Sequence, residues 1–266
     1  MKEIRLCDSG ALDLTKDLCV QNNLGIEFQT FHDPSIQDLE EQLKIHKLVT
    51  EKIPGGKSLH APFWELNLGS KMPGIKKVTM EMFNYAYKIA QELGCTEIVV
   101  HNGYIPGTSP VDNWVKRAIE FWKEFFSDKD NSITMCIENQ FELDSEIFIK
   151  EIDALGDSRL KCCLDVGHAH ANSNMSVEDW IKTLGDRISY FHLHNNHGKL
   201  NIPGHNNDEH LGLANGTIDM EKVFELAETY CPNAILNIET GPEYLLESVE
   251  WLTEKGYLKP RESKKI

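Results

Sequence analysis

Three observations predict an α/β fold in the form of a closed (β/α)8 barrel. Short apolar runs typical of strands alternate with segments of helical periodicity along all 266 residues. No hairpin signal joins consecutive strand-like runs, so helical crossovers between parallel strands are expected. From the third run onward, nearly every run ends in a histidine or a carboxylate, which favours a barrel whose strand ends converge on one mouth.

The strand-like runs are apolar and often β-branched, as parallel strands buried on both faces are. They occupy residues 4–7, 24–28, 58–60, 97–101, 133–138, 160–165, 188–193 and 234–239. The turn after the first run, Cys7-Asp8-Ser9-Gly10-Ala11, lacks the Gly-x-Gly-x-x-Gly signature of a dinucleotide-binding sheet. One barrel domain over residues 1–266 is therefore expected, since such barrels run to about 250 residues. Residues 259–266 are expected to form a frayed polar tail.

Apolar stripes mark the helices between the strands. One stripe precedes Gly94, which is expected to end its helix. That stripe consists of Met82, Phe83, Ala86, Ile89, Ala90 and Leu93. Ser109 is expected to cap the next helix, with Pro110 at its first position. The buried face of that helix is expected to be Trp114, Val115, Ala118, Phe121, Trp122 and Phe125.

Composition and charge restrict the class of protein. Hydrophobic residues make up 41% of the chain, yet no stretch approaches the roughly 18 apolar residues of a membrane span. The N-terminal residues lack an apolar signal region, so a cytoplasmic location is expected. The seven cysteines show no Cys-x-x-Cys spacing and are interpreted as buried free thiols in a reducing compartment. The net charge of −15, from 27 basic and 42 acidic residues, disfavours a broad grip on nucleic acid, although bound metal would add positive charge.

Residues with metal-binding chemistry end the last six strand-like runs or follow them. They are His60, His101, Glu138, Asp165, His168, His192, Asp208, His210 and Glu239. A single residue of this kind more often has a structural role, but that does not explain six successive strands. Buried carboxylates and imidazoles without a cation would carry a heavy desolvation and repulsion cost. Such nitrogen and oxygen ligands suit Zn²⁺ or Mn²⁺, so a divalent metal centre is predicted.

An ordered set of motifs resembles the xylose isomerase-like TIM barrel superfamily. This superfamily includes sugar isomerases and epimerases and the endonuclease IV family, also called AP endonuclease family 2. The motifs span almost the whole chain. They are Gly25-Ile26-Glu27, Leu59-His60-Ala61-Pro62, Val99-Val100-His101-Asn102-Gly103, Ile137-Glu138-Asn139, Leu164-Asp165-Val166-Gly167-His168, Phe191-His192-Leu193-His194-Asn195, Asp208-Glu209-His210-Leu211-Gly212, Gly216-Thr217-Ile218-Asp219 and Ile238-Glu239.

The resemblance implies a division of these residues among metal sites. In the isomerase and epimerase branch, one metal would be held by residues matching Glu138, Asp165, His192 and Glu239. In the endonuclease branch, a second metal would be held by residues matching His60, His101 and Glu138, with the glutamate bridging the two metals. A third would be held by residues matching His168, Asp208 and His210. The complete set implies one to three divalent ions.

Two departures from the endonuclease IV pattern weigh against DNA as the substrate. Chains of the endonuclease IV type typically have a motif similar to Gly-Ala-His-x-Ser after the first strand. This chain has Asp8-Ser9-Gly10-Ala11 at that position. Their basic, aromatic DNA-contacting loop after the second strand is replaced by Gln29-Thr30-Phe31-His32-Asp33-Pro34, which lacks lysine and arginine. DNA affinity depends largely on phosphates neutralised by those side chains.

Other residues near the expected mouth have two interpretations each. Phe63 and Trp64 could bind substrate by stacking on a sugar or a base, or could form a hydrophobic lid. Four histidines are interpreted as exposed loop residues; the alternative is that they hold metal ligands in the correct orientation. These four are His170, His194, His197 and His205. His32 and His46 have no ligand-like context.

The leading hypothesis is a metal-dependent isomerase or epimerase acting on a sugar or related polyhydroxy carbonyl compound. Glu138 and Glu239 would transfer the proton through an enediolate, while Asp165 and His192 would mainly hold the metal. The alternative is an endonuclease IV-like phosphodiester hydrolase with a multinuclear zinc site. A third possibility is a barrel that binds metal or ligand without turnover. A small sugar-like partner is expected, nucleic acid is disfavoured, no membrane partner is expected, and the oligomeric state is open.

Overall fold

Eight parallel strands form a closed barrel in the computed structural model, which describes residues 2–200, 202 and 206–259. Each strand pairs with the next in chain order, and the first pairs with the last to close the ring. The strands are β1 (Ile4–Cys7), β2 (Gly25–Phe28), β3 (Lys57–His60), β4 (Glu97–His101), β5 (Thr134–Glu138), β6 (Leu160–Asp165), β7 (Ile188–Leu193) and β8 (Ile235–Ile238). The predicted (β/α)8 class is therefore confirmed.

The strand bounds lie close to the predicted ones. Four runs coincide with β1, β4, β6 and β7, and the other four differ by one residue at an end, or at both ends for β8. His60, His101, Glu138 and Asp165 are the last residues of their strands. Because His101 pairs with Glu138, these ends lie level with one another at the mouth.

Helices follow the strands and cover the barrel. They are α1 (Leu12–Asn22), α2 (Leu39–Thr50), α3 (Pro73–Leu93), α4 (Val111–Phe125), α5 (Glu146–Leu155), α6 (Val166–Asn172), α7 (Val177–Leu184), α8 (Met220–Tyr230) and α9 (Leu245–Glu254). Five residues of the predicted α3 stripe are buried, whereas Met82 is only half-buried. The helix ends at Gly94, whose φ of 68° is the left-handed conformation that glycine adopts readily. The whole predicted face of α4 is buried.

The predicted cap of α4 is wrong. The helix begins at Val111, Pro110 precedes its first turn, and no side chain caps its N-terminus. The Ser109 hydroxyl is engaged elsewhere, since it accepts a hydrogen bond from Arg117 Nη2 at 3.2 Å. Pro110 occupies the N-cap position, so Ser109 lies one residue too early for its hydroxyl to cap the first turn.

Alternate strand residues point into the barrel, where polar groups lie above a small apolar layer. The apolar layer consists of Val99, Cys136, Cys163, Tyr190 and Ile235. Below it, Arg5 forms a 2.5 Å ion pair with Glu97. The larger apolar core lies between the strands and the helices. This packing leaves the barrel mouth for the polar strand ends.

All seven cysteines lie in the described part of the chain and are buried free thiols, as predicted, whereas the reducing compartment stays a prediction. Burial raises the pKa of Cys136 to about 12, so this thiol stays protonated at neutral pH. None of the helices placed in residues 2–200, 202 and 206–259 has the length and apolar character needed to cross a membrane. The expected tail lies outside the described residues except for Lys259, which is exposed.

Candidate metal centre

The first group at the mouth is formed by β3, β4 and β5. His60 Nε2 lies 3.2 Å and His101 Nε2 lies 3.1 Å from the same oxygen, Glu138 Oε2. All three side chains are buried. Two imidazole nitrogens and one carboxylate oxygen thus converge from three adjacent strand ends.

The second group uses the other oxygen of the same glutamate. His192 Nδ1 lies 3.1 Å from Glu138 Oε1 and 2.9 Å from Glu239 Oε2. Asp165 Oδ2 is 3.8 Å from the same nitrogen. Because Glu138 directs one oxygen to each group, it lies where a bridging ligand would lie.

The third group is built from α6 and the loop after β7. His168 Nε2 and His210 Nε2 each lie 3.2 Å from Asp208 Oδ2. A backbone bridge between Asn195 and Leu211 folds this loop back over the mouth. His210 adopts a φ of 48°, an uncommon left-handed conformation for a non-glycine residue. In each of the three groups the candidate ligand atoms lie within 4.8 Å of one another.

Backbone carbonyls set the orientation of three of these histidines. Nδ1 of His60, His168 and His210 lies 2.8 Å from the carbonyl oxygen of Ala61, Asn139 and Glu239, respectively. A carbonyl only accepts hydrogen bonds, so Nδ1 carries the hydrogen and Nε2 faces the centre. His192 has the opposite orientation, with Nδ1 at the centre.

Histidines balance the charge of the buried carboxylates. Burial opposes ionisation of Glu138, but His192 and His101 lower its pKa well below the ordinary value. Burial opposes the charged form of His210, but Asp208 and Glu239 raise its pKa to about 9. Without metal, imidazolium cations therefore neutralise these acids, and a metal ion would displace their protons.

The donor set fits a divalent ion. Asp208 Oδ1 is buried and accepts no hydrogen bond from the described residues. A buried carboxylate oxygen without a donor is costly unless a cation neutralises it. The three groups offer imidazole nitrogen and carboxylate oxygen only, which suits Zn²⁺ and also Mn²⁺. The predicted residues are thus brought together, and their ligand roles stay predictions.

Two residues without an assigned role in the sequence support this centre. Glu27 is fully buried, and its Oε1 lies 3.1 Å from His192 Nε2. Gln29 donates from Nε2 to Glu239 Oε1. Glu27 lies on the inward face of β2, so strand alternation could have placed it inside the barrel, but its role depends on the contact with His192.

The interpretation of His194 as an exposed loop residue is wrong. Its side chain is fully buried, and Nε2 lies 3.2 Å from both oxygens of Asp165. Its ring stacks on His210 at 3.9 Å between centroids. The folded-back loop buries it, which local sequence does not indicate. His197 is exposed as expected.

The other histidines differ in position. His170 is half-buried, and its Nε2 lies 2.9 Å from Thr217 Oγ1. His205 lies outside the described residues. His46 is buried away from the three groups, with Nδ1 2.7 Å from the Gln42 carbonyl oxygen. His32, by contrast, lines the cavity at the centre.

The two candidate substrate-binding aromatics are not equivalent. Phe63 lines the cavity of about 160 Å³ over the centre and stacks on His101 at 4.6 Å. Trp64 is 52% exposed and contacts His32 edge-on at 5.2 Å. The cavity is lined by Gln29, His32, His60, Phe63, His101, Glu138, Gln140, His168, Asp208, His210 and Glu239.

The closed (β/α)8 barrel, with histidines and carboxylates grouped at its mouth, defines the class of protein. The chain belongs to the xylose isomerase-like TIM barrel family, whose model matches residues 17–255. An uncharacterized protein of Methanocaldococcus jannaschii is 29% identical over 167 residues, which is 61% of this chain and 62% of that relative. The match thus spans less than two thirds of that relative. A probable endonuclease 4 of Mycobacterium ulcerans is 23% identical over 209 residues, 74% of this chain and 77% of that protein.

Solved structures share the fold along almost the whole chain. A D-tagatose 3-epimerase-like protein superposes with a TM-score of 0.75 at 23% identity and 96% coverage of both chains. The IOLI protein with a zinc atom superposes with a TM-score of 0.71 at 16% identity, over 97% of this chain and 95% of that one. At these identities the likeness shows a common fold.

Proposed function

We propose that this chain is a divalent-metal-dependent isomerase or epimerase acting on a sugar or related polyhydroxy carbonyl compound. The proposal is based mainly on two buried carboxylates, Glu138 and Glu239, which both lie close to His192 Nδ1. Glu138 Oε1 lies 3.1 Å and Glu239 Oε2 lies 2.9 Å from that nitrogen. Both carboxylates line a cavity of about 160 Å³, and no described lysine or arginine lines it.

The metal would be held by the four residues of the second group, Glu138, Asp165, His192 and Glu239. When bound, a divalent ion polarises a substrate carbonyl and stabilises the charge of an enediolate. The IOLI protein, which shares this fold, binds a zinc atom, and this supports the proposal of a metal site in the barrel.

The proton transfer is assigned to the two glutamates. Glu138 and Glu239 come from different strands, so one can remove a proton from the carbon beside the carbonyl and the other can return it. Gln29 holds Glu239 Oε1 by a hydrogen bond, which leaves Oε2 to face the centre. Glu27 holds His192 in place through Nε2.

Phosphodiester hydrolysis is the second candidate, and the two additional groups of ligands favour it. Multinuclear sites suit in-line displacement at phosphorus because the ions stabilise both the attacking and the leaving oxygen. The acidic net charge of −15 and the loop at 29–34 without lysine or arginine oppose DNA as the substrate. A small phosphate ester remains compatible with this second candidate.

Proton exchange in heavy water tests the leading proposal. Metal-loaded protein is incubated with each D-ketohexose, and loss of the proton beside the carbonyl is followed by NMR. We expect exchange with at least one sugar, and at least a hundredfold slower exchange for Glu138→Gln and Glu239→Gln, since a positioned acid or base contributes 10²–10⁴-fold. The exposed Glu120→Gln serves as the matched control.

The outcomes separate the three functional classes. Absence of exchange with hydrolysis of a small phosphodiester would support the second candidate. Absence of both activities with retained metal would support a barrel that binds without turnover. For the location, we propose the cytoplasm, because seven buried free thiols suit a reducing compartment.

A further inference from the structure

A buried hydrogen-bonded chain lies behind one wall of the barrel mouth. It joins Asp8, which follows β1, to His46 of α2, and both side chains are buried. The Thr30 hydroxyl lies between them, 3.2 Å from Asp8 Oδ2 and 3.1 Å from His46 Nε2, while those two atoms are 3.9 Å apart. We call Asp8, Thr30 and His46 the buried triad. Its hydroxyl bridges a carboxyl and an imidazole that form no direct hydrogen bond.

The two hydrogen bonds of the buried triad need one proton besides the hydroxyl hydrogen of Thr30. Each contact requires a hydrogen, and a hydroxyl supplies only one. The hydrogen on His46 Nδ1 is already used, because this nitrogen lies 2.7 Å from the Gln42 carbonyl oxygen, which only accepts. The additional hydrogen is therefore carried either by the Asp8 carboxyl or by His46 Nε2.

Burial favours the form in which Asp8 carries this proton. The alternative is a buried carboxylate beside a buried imidazolium, which costs the desolvation of two charges. The rings of Phe28 and Phe31 pack edge-on against the imidazole, at 5.3 and 4.7 Å between centroids. Burial accordingly lowers the pKa of His46 and raises the pKa of Asp8 to about 7. The donors then run from the Asp8 carboxyl through the Thr30 hydroxyl to His46 Nε2.

The other neighbours of Asp8 supply no full positive charge. Glu27 of β2 repels a second carboxylate, and burial keeps the Cys7 thiol of β1 protonated. The backbone N–H groups of Gly10 and Gln29 favour the ionised form and lower the pKa of Asp8, but burial outweighs them. Among the described residues, no lysine or arginine forms an ion pair with Asp8. A charge on Asp8 is therefore balanced by a cation only when His46 is protonated.

The buried triad anchors the segment that holds Glu239. Asp8 Oδ1 accepts a hydrogen bond from the Gln29 backbone N–H at 3.0 Å, and the Gln29 side chain donates to Glu239 Oε1. Gln29, Thr30 and Glu239 line the same cavity, of about 560 Å³. Loss of the additional proton would leave one contact of the triad without a hydrogen and place an unbalanced charge behind this wall.

We propose that Asp8 and His46 share a single proton through Thr30 and act as positioning residues, which keep Gln29 on Glu239 while that proton is bound. The consequence for turnover rests on the proposed function, in which Glu239 transfers a proton. The folded pKa of Asp8, about 7, lies above its ordinary value of 3.8. The contribution of the triad to stability is thus fully present below pH 3.8 and is lost as pH rises through about 7.

Carbon and nitrogen NMR of the full-length protein in zinc-containing buffer tests the shared proton. We expect the Asp8 carboxyl to titrate with a pKa of about 7, and His46 to keep one hydrogen, on Nδ1, from pH 5 to pH 9. The His46 Nε2 signal should shift with the same midpoint, because the Thr30 hydroxyl turns to the newly formed carboxylate. Thr30→Val should abolish this linked shift, whereas Thr30→Ser, which keeps the hydroxyl, should retain it.

Asp8→Asn tests the positioning role, because an amide reproduces the protonated carboxyl and does not titrate. Its oxygen can accept from the Gln29 N–H, and its NH₂ group can donate to Thr30. In the wild type, the Gln29 side-chain amide signal should shift above about pH 7, and the proton-exchange rate should fall about tenfold by pH 9, as expected for loss of one essential proton. The variant should show neither change. Exposed Asp17→Asn is the matched control and should follow the wild type.

Each measurement has an outcome that overturns part of the inference. An Asp8 carboxyl that titrates near 3.8, or a His46 ring with two hydrogens at pH 6, would reject the shared neutral proton. A His46 signal that does not follow Asp8 would reject the link through Thr30. An Asp8→Asn variant whose Gln29 signal follows the wild type would reject the positioning role. Absence of exchange with every sugar would reject the proposed function instead, and the NMR titrations would still decide this inference.

Discussion

Glu27 and His192 form a fully buried pair, with Glu27 Oε1 3.1 Å from His192 Nε2. Glu27 also accepts from Asn237 Nδ2 at 3.1 Å, so its carboxylate is fixed from β8. The pair directs His192 Nδ1 to the oxygens of Glu138 and Glu239. A metal-ligating imidazole commonly has such a carboxylate on its other nitrogen.

Weakening this pair should weaken metal binding. We expect Glu27→Gln to lower metal affinity about 10–100-fold, because loss of a carboxylate partner reduces the basicity and the fixed orientation of the imidazole. Competition with a chromophoric chelator measures the affinity. Exposed Glu120→Gln is the control. An affinity equal to that of the wild type would show that Glu27 has no part in holding the ligand.

Gly167 should tolerate no side chain because His194 occupies the space. A Cβ at Gly167 would lie 2.0 Å from His194 Cε1, and His194 is stacked on His210. We expect Gly167→Ala to reduce the free energy of unfolding of the metal-free protein by about 1–3 kcal/mol and to weaken metal retention. Gly74→Ala, where a Cβ meets nothing within 4 Å, is the matched control. Equal stability of both variants in chemical denaturation would contradict the packing of His194.

The buried carboxyl of Glu151 should make stability fall as pH rises. Burial raises its pKa to about 8, and its Oε1 accepts from Trp122 Nε1 at 2.5 Å. Between its ordinary pKa of 4.5 and about 8, the folded state binds more protons than the unfolded state. The contribution is thus fully present below pH 4.5 and is lost by about 1.4 kcal/mol per pH unit as pH rises toward 8.

Glu151→Gln tests this dependence because the amide keeps an acceptor for Trp122 and does not ionise. In metal-free protein, we expect the variant to gain stability relative to the wild type from pH 5 to pH 8, with unfolding followed in urea. Exposed Glu120→Gln should show no such trend. A difference independent of pH would mean that Glu151 is already ionised in the folded protein at pH 5.

DNA should be a poor partner of this chain. We expect no efficient incision of duplex DNA with an abasic site and only weak, salt-sensitive binding, because DNA affinity comes largely from phosphates neutralised by lysine and arginine. The chain carries a net charge of −15. Gel assays at physiological salt, with endonuclease IV as the positive control, give the answer. Efficient incision that Glu138→Gln abolishes would reject the isomerase proposal in favour of the hydrolase.

The barrel and most of the centre were predictable because each depends on a local pattern. Strand alternation and the convergence of barrel strand ends bring together His60, His101 and Glu138 from separate parts of the chain. Glu27 lies on the same inward face, and only its partner, His192, reveals its role.

Other features depend on contacts that the sequence does not specify locally. His194 is buried because the Asn195–Leu211 bridge folds a loop over the mouth. Ser109 loses its expected capping role because the helix begins one residue later than expected, with Pro110 at the N-cap.

Anomalous scattering from crystals of metal-replete protein, recorded at the zinc and manganese absorption edges, tests the metal centre most directly. We expect a peak among Glu138, Asp165, His192 and Glu239, and two further peaks at the other two groups when all three are filled. Asp165→Asn should lose the first peak while the metal-free variant keeps a thermal midpoint close to that of the wild type. The absence of any peak at the mouth of metal-replete wild-type protein would show that these residues do not form a metal centre.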